Sequence, residues 1–304
     1  MDKNKTIVFA IFTCNRFYYF KNAFKSLVSC LDMNRIKILV VDNATIEKGF
    51  DQYLNKISNR YKNVIIKKYN KRVVGEVYRA MNWAIKWCLK EGHKVIYFMQ
   101  DDYQFLFQNN RVLDDVLYQF KQYSQIVQIH NNMVWKKKHK KIGKYKILNA
   151  LGTNYALLLN KPPCDNGFTR VDIYNKIGFY PDASSFKKGD SKKLVGEVWF
   201  ARKCHRKKWQ RTISLYPNVG MMFSSAFVRG DKRYGDYFKP PNKFYIKMFS
   251  KNRISQVKYN HKRKKWCFIE KMCEPDGWNP RIRYKRDDNI DIVNDITVPA
   301  REYS

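Results

Sequence analysis

The chain is short of negative charge. Its 304 residues hold 26 Asp and Glu against 60 Lys and Arg, a formal net charge of +34. A surface so basic attracts anions: nucleic acid, anionic lipid, acidic glycans or phosphorylated substrates. Lys, Asn, Tyr, Phe and Ile are also what a coding bias toward A and T would enrich, so drift and selected anion binding both account for the charge. Other absences exclude more. The seven cysteines, Cys14, Cys30, Cys88, Cys164, Cys204, Cys267 and Cys273, form no C-x-x-C, and no Cys/His cluster has zinc spacing, so free thiols in a reducing compartment are expected. His93, His130, His139, His205 and His261 show no paired metal spacing. No apolar run reaches the roughly 20 residues of a membrane span, and the first such run soon meets Asn15 and Arg16 without a small-residue cleavage site. The expectation is a soluble, cytoplasmic protein, with peripheral contact at an anionic membrane compatible with the charge. The absence of G-x-S-x-G, of a Walker-type loop and of G-x-G-x-x-G weakens the hydrolase, P-loop and dinucleotide-binding readings.

What is present is enough for a core. Hydrophobic residues make up 44% and aromatic residues 16%, which excludes disorder of the whole chain. The first half alternates strand and helix signals. Apolar strand-type runs fall at 6–12 (TIVFAIF), 36–41 (IKILVV), 64–68 (VIIKK) and 94–99 (KVIYFM). Helical spacing falls at 17–31 (Phe20, Ala23, Phe24, Leu27, Leu31), at 75–90 (Val77, Ala80, Met81, Ala84, Ile85, Cys88) and at 111–123. This alternation predicts an α/β fold with a mostly parallel sheet flanked by helices. Ligands in such sheets bind at the carboxyl ends of the strands. Three polar groups lie there: Thr13–Arg16, Asp42-Asn43 and Asp101-Asp102.

The second half is less regular. Residues 135–146 are a basic run read as a solvated loop or strand edge, 150–159 as a strand, and 194–204 as a helix. Composition shifts to Tyr, Lys and Pro near residue 230. The division expected is 1–230 for the main domain and 231–304 for a basic, aromatic-rich C-terminal extension.

Three carboxylate sites could carry chemistry. Asp101 and Asp102 follow an apolar strand directly, and adjacent carboxylates repel unless a cation sits with them. Mg²⁺ or Mn²⁺ bridging a diphosphate meets that need, and so, more plainly, would a turn or a helix N-cap. Asp42-Asn43 could address a nucleobase or ribose, or close an Asx turn. Glu197, among Trp199 and Phe200, could act as a general base, or be an ordinary first-turn helix carboxylate.

In their order and spacing, FTCNR, LVVDNAT, the Gly75 to Asn82 segment, QDDY and GEVWFAR resemble the family 2 inverting glycosyltransferases of the GT-A fold, over about residues 5–225. The resemblance implies a nucleotide-sugar donor and a hydroxyl acceptor on a glycan, a lipid-linked or a protein molecule. It implies that Thr13, Asn15 and Arg16 line the nucleotide pocket and that Asp42 and Asn43 contact the base. It places Gly75, Arg79 and Asn82 near the diphosphate, Asp101 on the ribose side, Asp102 on the metal (Mn²⁺ or Mg²⁺), and Glu197 as catalytic base. The chain departs from the family pattern where Tyr103 follows Asp102, where Val198 follows Glu197, and where Asn218 stands at the position of a late His.

Competing readings remain at this level. Lys/Arg interleaved with aromatics at 260–266 and 281–285 suits a non-catalytic protein that binds nucleic acid or anionic glycan. The missing His allows an inactive relative. A nucleotidyltransferase fits less well, because FTCNRFYYF lacks a Gly-rich loop.

Overall fold

A computed structural model describes residues 7–71, 77–101, 103–105, 110–133, 145–158, 167–181, 196–222, 257–260 and 265–268. Gly75, Asp102, the side chain of Glu197 and residues 281–285 lie outside that description, as does most of the extension 231–304.

The first half runs β1 (Ile7–Thr13), α1 (Phe17–Cys30), β2 (Ile36–Asp42), α2 (Phe50–Arg60), β3 (Val64–Lys68), α3 (Val77–Glu91) and β4 (Val95–Gln100). Then come β5 (Tyr103–Phe105), α4 (Arg111–Gln122), β6 (Ile126–Met133), β7 (Tyr145–Ala150), β8 (Thr153–Leu158), β9 (Gly167–Arg170), α5 (Tyr174–Ile177), α6 (Gly196–Arg206) and β10 (Gln210–Met222). A hairpin of β11 (Val257–Asn260) and β12 (Lys265–Phe268) forms a separate small sheet within the extension. The main sheet has the order β3-β2-β1-β4-β9-β6-β10-β8-β7, and β5 pairs with β10.

The expected parallel sheet is found in β3-β2-β1-β4. Beyond β4 the sheet becomes mixed. β9 runs antiparallel to β4 and β6, β10 is parallel to β6, and β8 and β7 follow antiparallel.

β1 explains why the first half is so regular. All seven of its residues are buried, as a strand covered on both faces requires. Successive side chains point to opposite faces. Ile7, Phe9 and Ile11 enter one core with residues of α1, α2 and α4. Val8, Ala10 and Phe12 enter the other with residues of α3, α5 and α6. The helices bury the stripes that their spacing predicts: Phe20, Ala23, Phe24 and Leu27 on α1, and Ala80, Met81, Ala84, Ile85 and Cys88 on α3. α2 falls between the second and third strands, where no helical spacing is noted above; it buries Phe50, Leu54 and Ile57 at i, i+4 and i+7.

The later strands hold polar groups on their buried faces. Gln128 donates to Thr169 Oγ1 (3.0 Å), Thr212 Oγ1 donates to Gln119 Oε1 of α4 (2.8 Å), and Tyr155 donates to Asp115 Oδ2 (2.9 Å).

Phe20 is fully buried, with its ring 5.5 Å from Phe50 and 6.0 Å from Phe24. Phe20→Ala should therefore lower unfolding free energy by about 3–5 kcal/mol in a denaturant titration. A loss under about 1 kcal/mol would show that α1 is not packed as described.

Candidate functional site

The parallel register brings the strand ends level. Thr13 pairs with Asp42, and Phe12 pairs with Gln100. Asp101 therefore emerges beside the β1 loop. A cleft of about 200 Å³ opens there. Phe12 and Val41 from the sheet, with Val77 and Ala80 from the first turn of α3, give it an apolar wall. Thr13, Cys14, Arg16, Asn43, Gln100 and Asp101 give it a polar one.

Asp101 is 2% exposed. A carboxylate taken so far from water needs a counter-charge. Arg16 supplies it: Nη1 donates to Asp101 Oδ1 at 2.7 Å. Burial holds the Asp101 carboxyl above its ordinary value, and the Arg16 charge and hydrogen bond, the Thr13 hydroxyl and the Cys14 N–H offset that rise only in part.

Asp42 and Asn15 do a different job. Asp42 is fully buried and both its oxygens accept from the Thr45 N–H (3.1 and 3.2 Å), an Asx-type closure of the loop after β2. Thr45 Oγ1 accepts from the Asn15 N–H (2.9 Å), and Asn15 Oδ1 accepts from the Ile46 N–H (2.9 Å). Asn43 N–H donates to Thr13 O (2.9 Å), and Cys14 Sγ donates to Asn43 O (3.2 Å). The loops after β1 and β2 are thus stitched into one wall. Asn15 and Ala44 sit at φ 48° and 57°, in the left-handed region; Asn tolerates it locally, whereas for Ala it stores strain.

α1 begins beside this wall without a cap of its own, since Arg16 stands at the N-cap position. Glu47, from the loop after β2, accepts from the Phe17 N–H (2.5 Å) through Oε2. Burial raises the Glu47 carboxyl, the Phe17 N–H lowers it, and the nearby Asp101 charge raises it further.

α3 joins the cleft to α6. Arg79 is exposed and its guanidinium lies 4.6 Å from the Tyr69 ring centre. Asn82 is bound at both ends of its amide by Tyr180: Nδ2 donates to Tyr180 O (2.8 Å) and Oδ1 accepts from Tyr180 N–H (2.9 Å). Tyr78 stacks on Tyr180 at 5.3 Å and presses on Gly196, where an added Cβ would run into its ring. Gly196 also takes φ +57°, so only glycine suits the start of α6. Glu197 is the next residue, in the first turn of α6. It follows a glycine that meets the side chain of Tyr78, the residue after Val77 of the cleft wall.

Of the residues expected at a donor site, the structure gathers Thr13, Arg16, Asn43 and Asp101 on the cleft surface. It places Asn15 and Asp42 behind that surface and Asn82 on Tyr180. Gly75 and Asp102 are outside the described residues. The segment that carries Asn218 in place of a His is part of β10, which pairs with β5 at Val219↔Phe105 and Met222↔Tyr103, next to Asp102 in the chain. The sequence reading placed Cys14 in a strand-end group but gave it no role, and it missed Thr45, Glu47 and Gln100. A cap-less α1 was the signal that could have prompted a search for Glu47.

Among the described residues no group of three His, Cys, Asp or Glu could hold a metal ion. An ion shared with a diphosphate needs only one or two carboxylates. Asp101 already faces the Arg16 cation, so the donor set present fits such an ion only through a neighbouring carboxylate.

No family model and no curated protein matches the chain by sequence. Solved structures do match by shape. The Staphylococcus aureus TarS 1–349 complex with UDP-GlcNAc superposes with a TM-score of 0.52 at 16% identity, covering 73% of this chain and 62% of that one. GalNAc-T7 with UDP, GalNAc and Mn²⁺ superposes with a TM-score of 0.53 at 9% identity, covering 78% and 50%. The fold is that of the GT-A glycosyltransferases. This chain spans half to three-fifths of the length of those two solved chains.

Two measurements check the geometry. Arg16→Ala should cost about 3 kcal/mol of stability by leaving the Asp101 charge buried alone, and adding Asp101→Asn should restore most of it. Strictly additive losses in the double variant would show that the two side chains do not pair. Burial is the largest influence on Asp42 and raises its carboxyl above its ordinary value of 3.8, so the protonated form suits the fold better. A raised folded pKa gives stability that is full below the ordinary value and lost as pH rises through the folded one. Asp42→Asn, which mimics the protonated form, should thus melt above the parent at pH 7, with the gap closing toward pH 3. A gap independent of pH would contradict the assignment.

Proposed function

We propose that this chain is a nucleotide-sugar-dependent glycosyltransferase that moves a sugar from a nucleotide-diphosphate donor to a hydroxyl of a glycan, lipid-linked or protein acceptor. The observation that carries this reading is the cleft at the level ends of β1, β2 and β4, on a GT-A sheet, with Arg16 and Asp101 paired on its polar wall. Its apolar wall of Val41, Val77 and Ala80 suits the face of a base, and Asn43 beside it suits a base edge. Thr13 and Asp101 stand on the ribose side. Arg16 has a cationic fork suited to a diphosphate. Asn15 and Asp42 support this wall from behind, Arg79 in the first turn of α3 and Gly75 before it are assigned to the diphosphate, and Asn82 acts on the site through Tyr180. Asp102 is the residue that would hold Mn²⁺ or Mg²⁺, and such an ion would offset charge on the departing diphosphate.

The chemistry assigned to the chain's own groups is a direct displacement. The Glu197 carboxylate takes the proton of the acceptor hydroxyl. That oxygen bonds to the anomeric carbon as the bond from this carbon to the diphosphate oxygen breaks. Attack opposite the leaving group inverts the anomeric configuration. TarS with UDP-GlcNAc and GalNAc-T7 with UDP and Mn²⁺ support the donor class and the ion through their shared fold.

Nucleotide release across a panel of UDP-, GDP- and dTDP-sugars, with and without Mn²⁺, tests the reading. One donor should be turned over with metal dependence, and Asp102→Ala should abolish it. Glu197→Gln should lower kcat about 10²- to 10⁴-fold while leaving the donor Kd nearly unchanged. Equal loss of turnover and donor binding would remove Glu197 as the base. A chain that neither releases nucleotide nor binds any donor in calorimetry would defeat the proposal as a whole.

A further inference from the structure

The two cores differ in what surrounds them. Trp83, Trp87, Trp199 and Trp209 all pack against the second core and stay half-exposed, whereas no tryptophan packs on the first among the described residues. On α3 and α6 these rings alternate with cations. Trp83, Lys86, Trp87 and Lys90 recur at i, i+3, i+4 and i+7 on α3, which places them on one flank, outside the stripe that α3 buries. Trp199, Arg202, Lys203 and Arg206 repeat that interval on α6. Phe179 and Tyr180 join the two stripes. The Lys86 amine lies 5.0 Å from the Phe179 ring centre, and Tyr180, held by Asn82, has its ring 5.4 Å from that of Trp199.

Charge follows the same division. Glu91 and Glu197 are the acids of α3, α5 and α6, against Lys86, Lys90, Lys176, Arg202, Arg206 and their neighbours. The cations just named are exposed. On the opposite side of the sheet the signs are mixed: Asp114 of α4 pairs with Arg35 (2.6 Å), and Asp51 of α2 pairs with Lys68. A surface of one sign attracts a surface of the other, and an anionic bilayer presents one. The rings decide the kind of anion. Trp87 and Trp199 are packed against the core with an amine over each, Lys37 at 5.6 Å and Lys203 at 5.9 Å from the ring centres. Ring faces so covered are poorly placed to stack on the bases of a nucleic acid, which needs them open. Ring edges beside amines suit the boundary between acyl chains and headgroups, where tryptophan collects and long basic side chains reach the phosphates.

We propose that the outer faces of α3 and α6 dock on an anionic phospholipid membrane. The tryptophans enter the headgroup boundary by their edges, and the cations of both stripes contact lipid phosphates. Both helices are held by the second core, so the surface exists before it meets lipid and no segment has to order on binding. The excess of positive charge then has a local use on this side of the sheet.

The test uses the full chain at about 150 mM salt, where diffuse surface charge is largely screened beyond about 8 Å. The chain should co-sediment with vesicles of phosphatidylglycerol and phosphatidylcholine, and little with phosphatidylcholine alone. Lipids brominated on the acyl chains near the headgroup should quench tryptophan emission, and Trp83→Phe/Trp199→Phe should lose part of that quenching. The face variant Lys86→Gln/Lys90→Gln/Lys203→Gln/Arg206→Gln is compared with a control that removes four exposed cations elsewhere, Lys56→Gln/Lys62→Gln/Lys121→Gln/Lys146→Gln. Both lose the same charge. The face variant should bind vesicles about tenfold or more weakly, and the control should change less than about twofold. The half variants Lys86→Gln/Lys90→Gln and Lys203→Gln/Arg206→Gln should each show part of the loss, which guards against misfolding of the quadruple variant. Equal loss in face and control variants, no vesicle binding by the parent, or quenching that is absent or unchanged in Trp83→Phe/Trp199→Phe overturns the docking surface. Binding of heparin by the parent without binding of vesicles also overturns it, and makes an acidic polymer the partner of this face. No readout here uses a nucleotide sugar, so failure is distinguishable from failure of the transferase reading.

Discussion

The buried charge of Asp101 is the constraint around which the cleft is organised. A carboxylate at the end of a central strand, nearly out of water, must be answered by a cation. The answer comes from Arg16, at the start of α1. That requirement fixes the β1 loop against the end of β4. The loop in turn carries Thr13 and Cys14 to the cleft surface and Asn15 to the loop after β2. Glu47 closes the circle by binding the first N–H of α1. Three loops from three strand ends are therefore one hydrogen-bonded unit, and the open space between them has a defined shape before any ligand arrives.

The first half of this fold was legible because burial and hydrophobicity coincide there. β1 to β4 are apolar on both faces, and α1 and α3 show their stripes at helical spacing. Each strand ends where polar residues begin, which is also where the cleft lies. The second half was less legible for a physical reason. Gln128, Thr169, Thr212 and Ser214 occupy buried positions, and all four find side-chain partners within the sheet or on α4. Paired polar side chains stabilise strands that an apolar period cannot reveal. α2 was missed because its three buried residues are scattered among eight that are not fully buried. The cleft itself was half legible. Strand-end position identified Thr13, Arg16, Asn43 and Asp101 as a group. It could not separate groups that face the cavity from groups such as Asp42 and Asn82, whose hydrogen bonds are taken up by Thr45 and Tyr180.

α3 links the two halves. Its first turn gives Val77 and Ala80 to the cleft, its next residues hold Tyr180 through Tyr78 and Asn82, and the Tyr78 ring rests on Gly196. A helix that opens with glycine in a left-handed conformation is a poor nucleus on its own. Here the cost is offset by aromatic packing of Tyr174, Tyr180, Trp199 and Phe200, whose ring centres lie 5.4 to 5.9 Å apart along the cluster. The start of α6 is thus positioned by the core beneath it rather than by its own capping.

The sheet also divides the interior into two cores that share strands β1 to β4 and β6 but no side chain. Phe9 and Ala10 are neighbours in the chain, yet a change at one is felt by α1 and at the other by α3. The cleft's apolar wall (Phe12, Val41, Ala80) belongs to the second core. The packing of α1 and α2 (Phe24, Ile57) belongs to the first. Sequence drift in one compartment can be absorbed locally without repacking the other. The two helix layers are therefore free to diverge separately, and a lineage can retune the apolar wall of the cleft while the α1–α2 layer stays as it was.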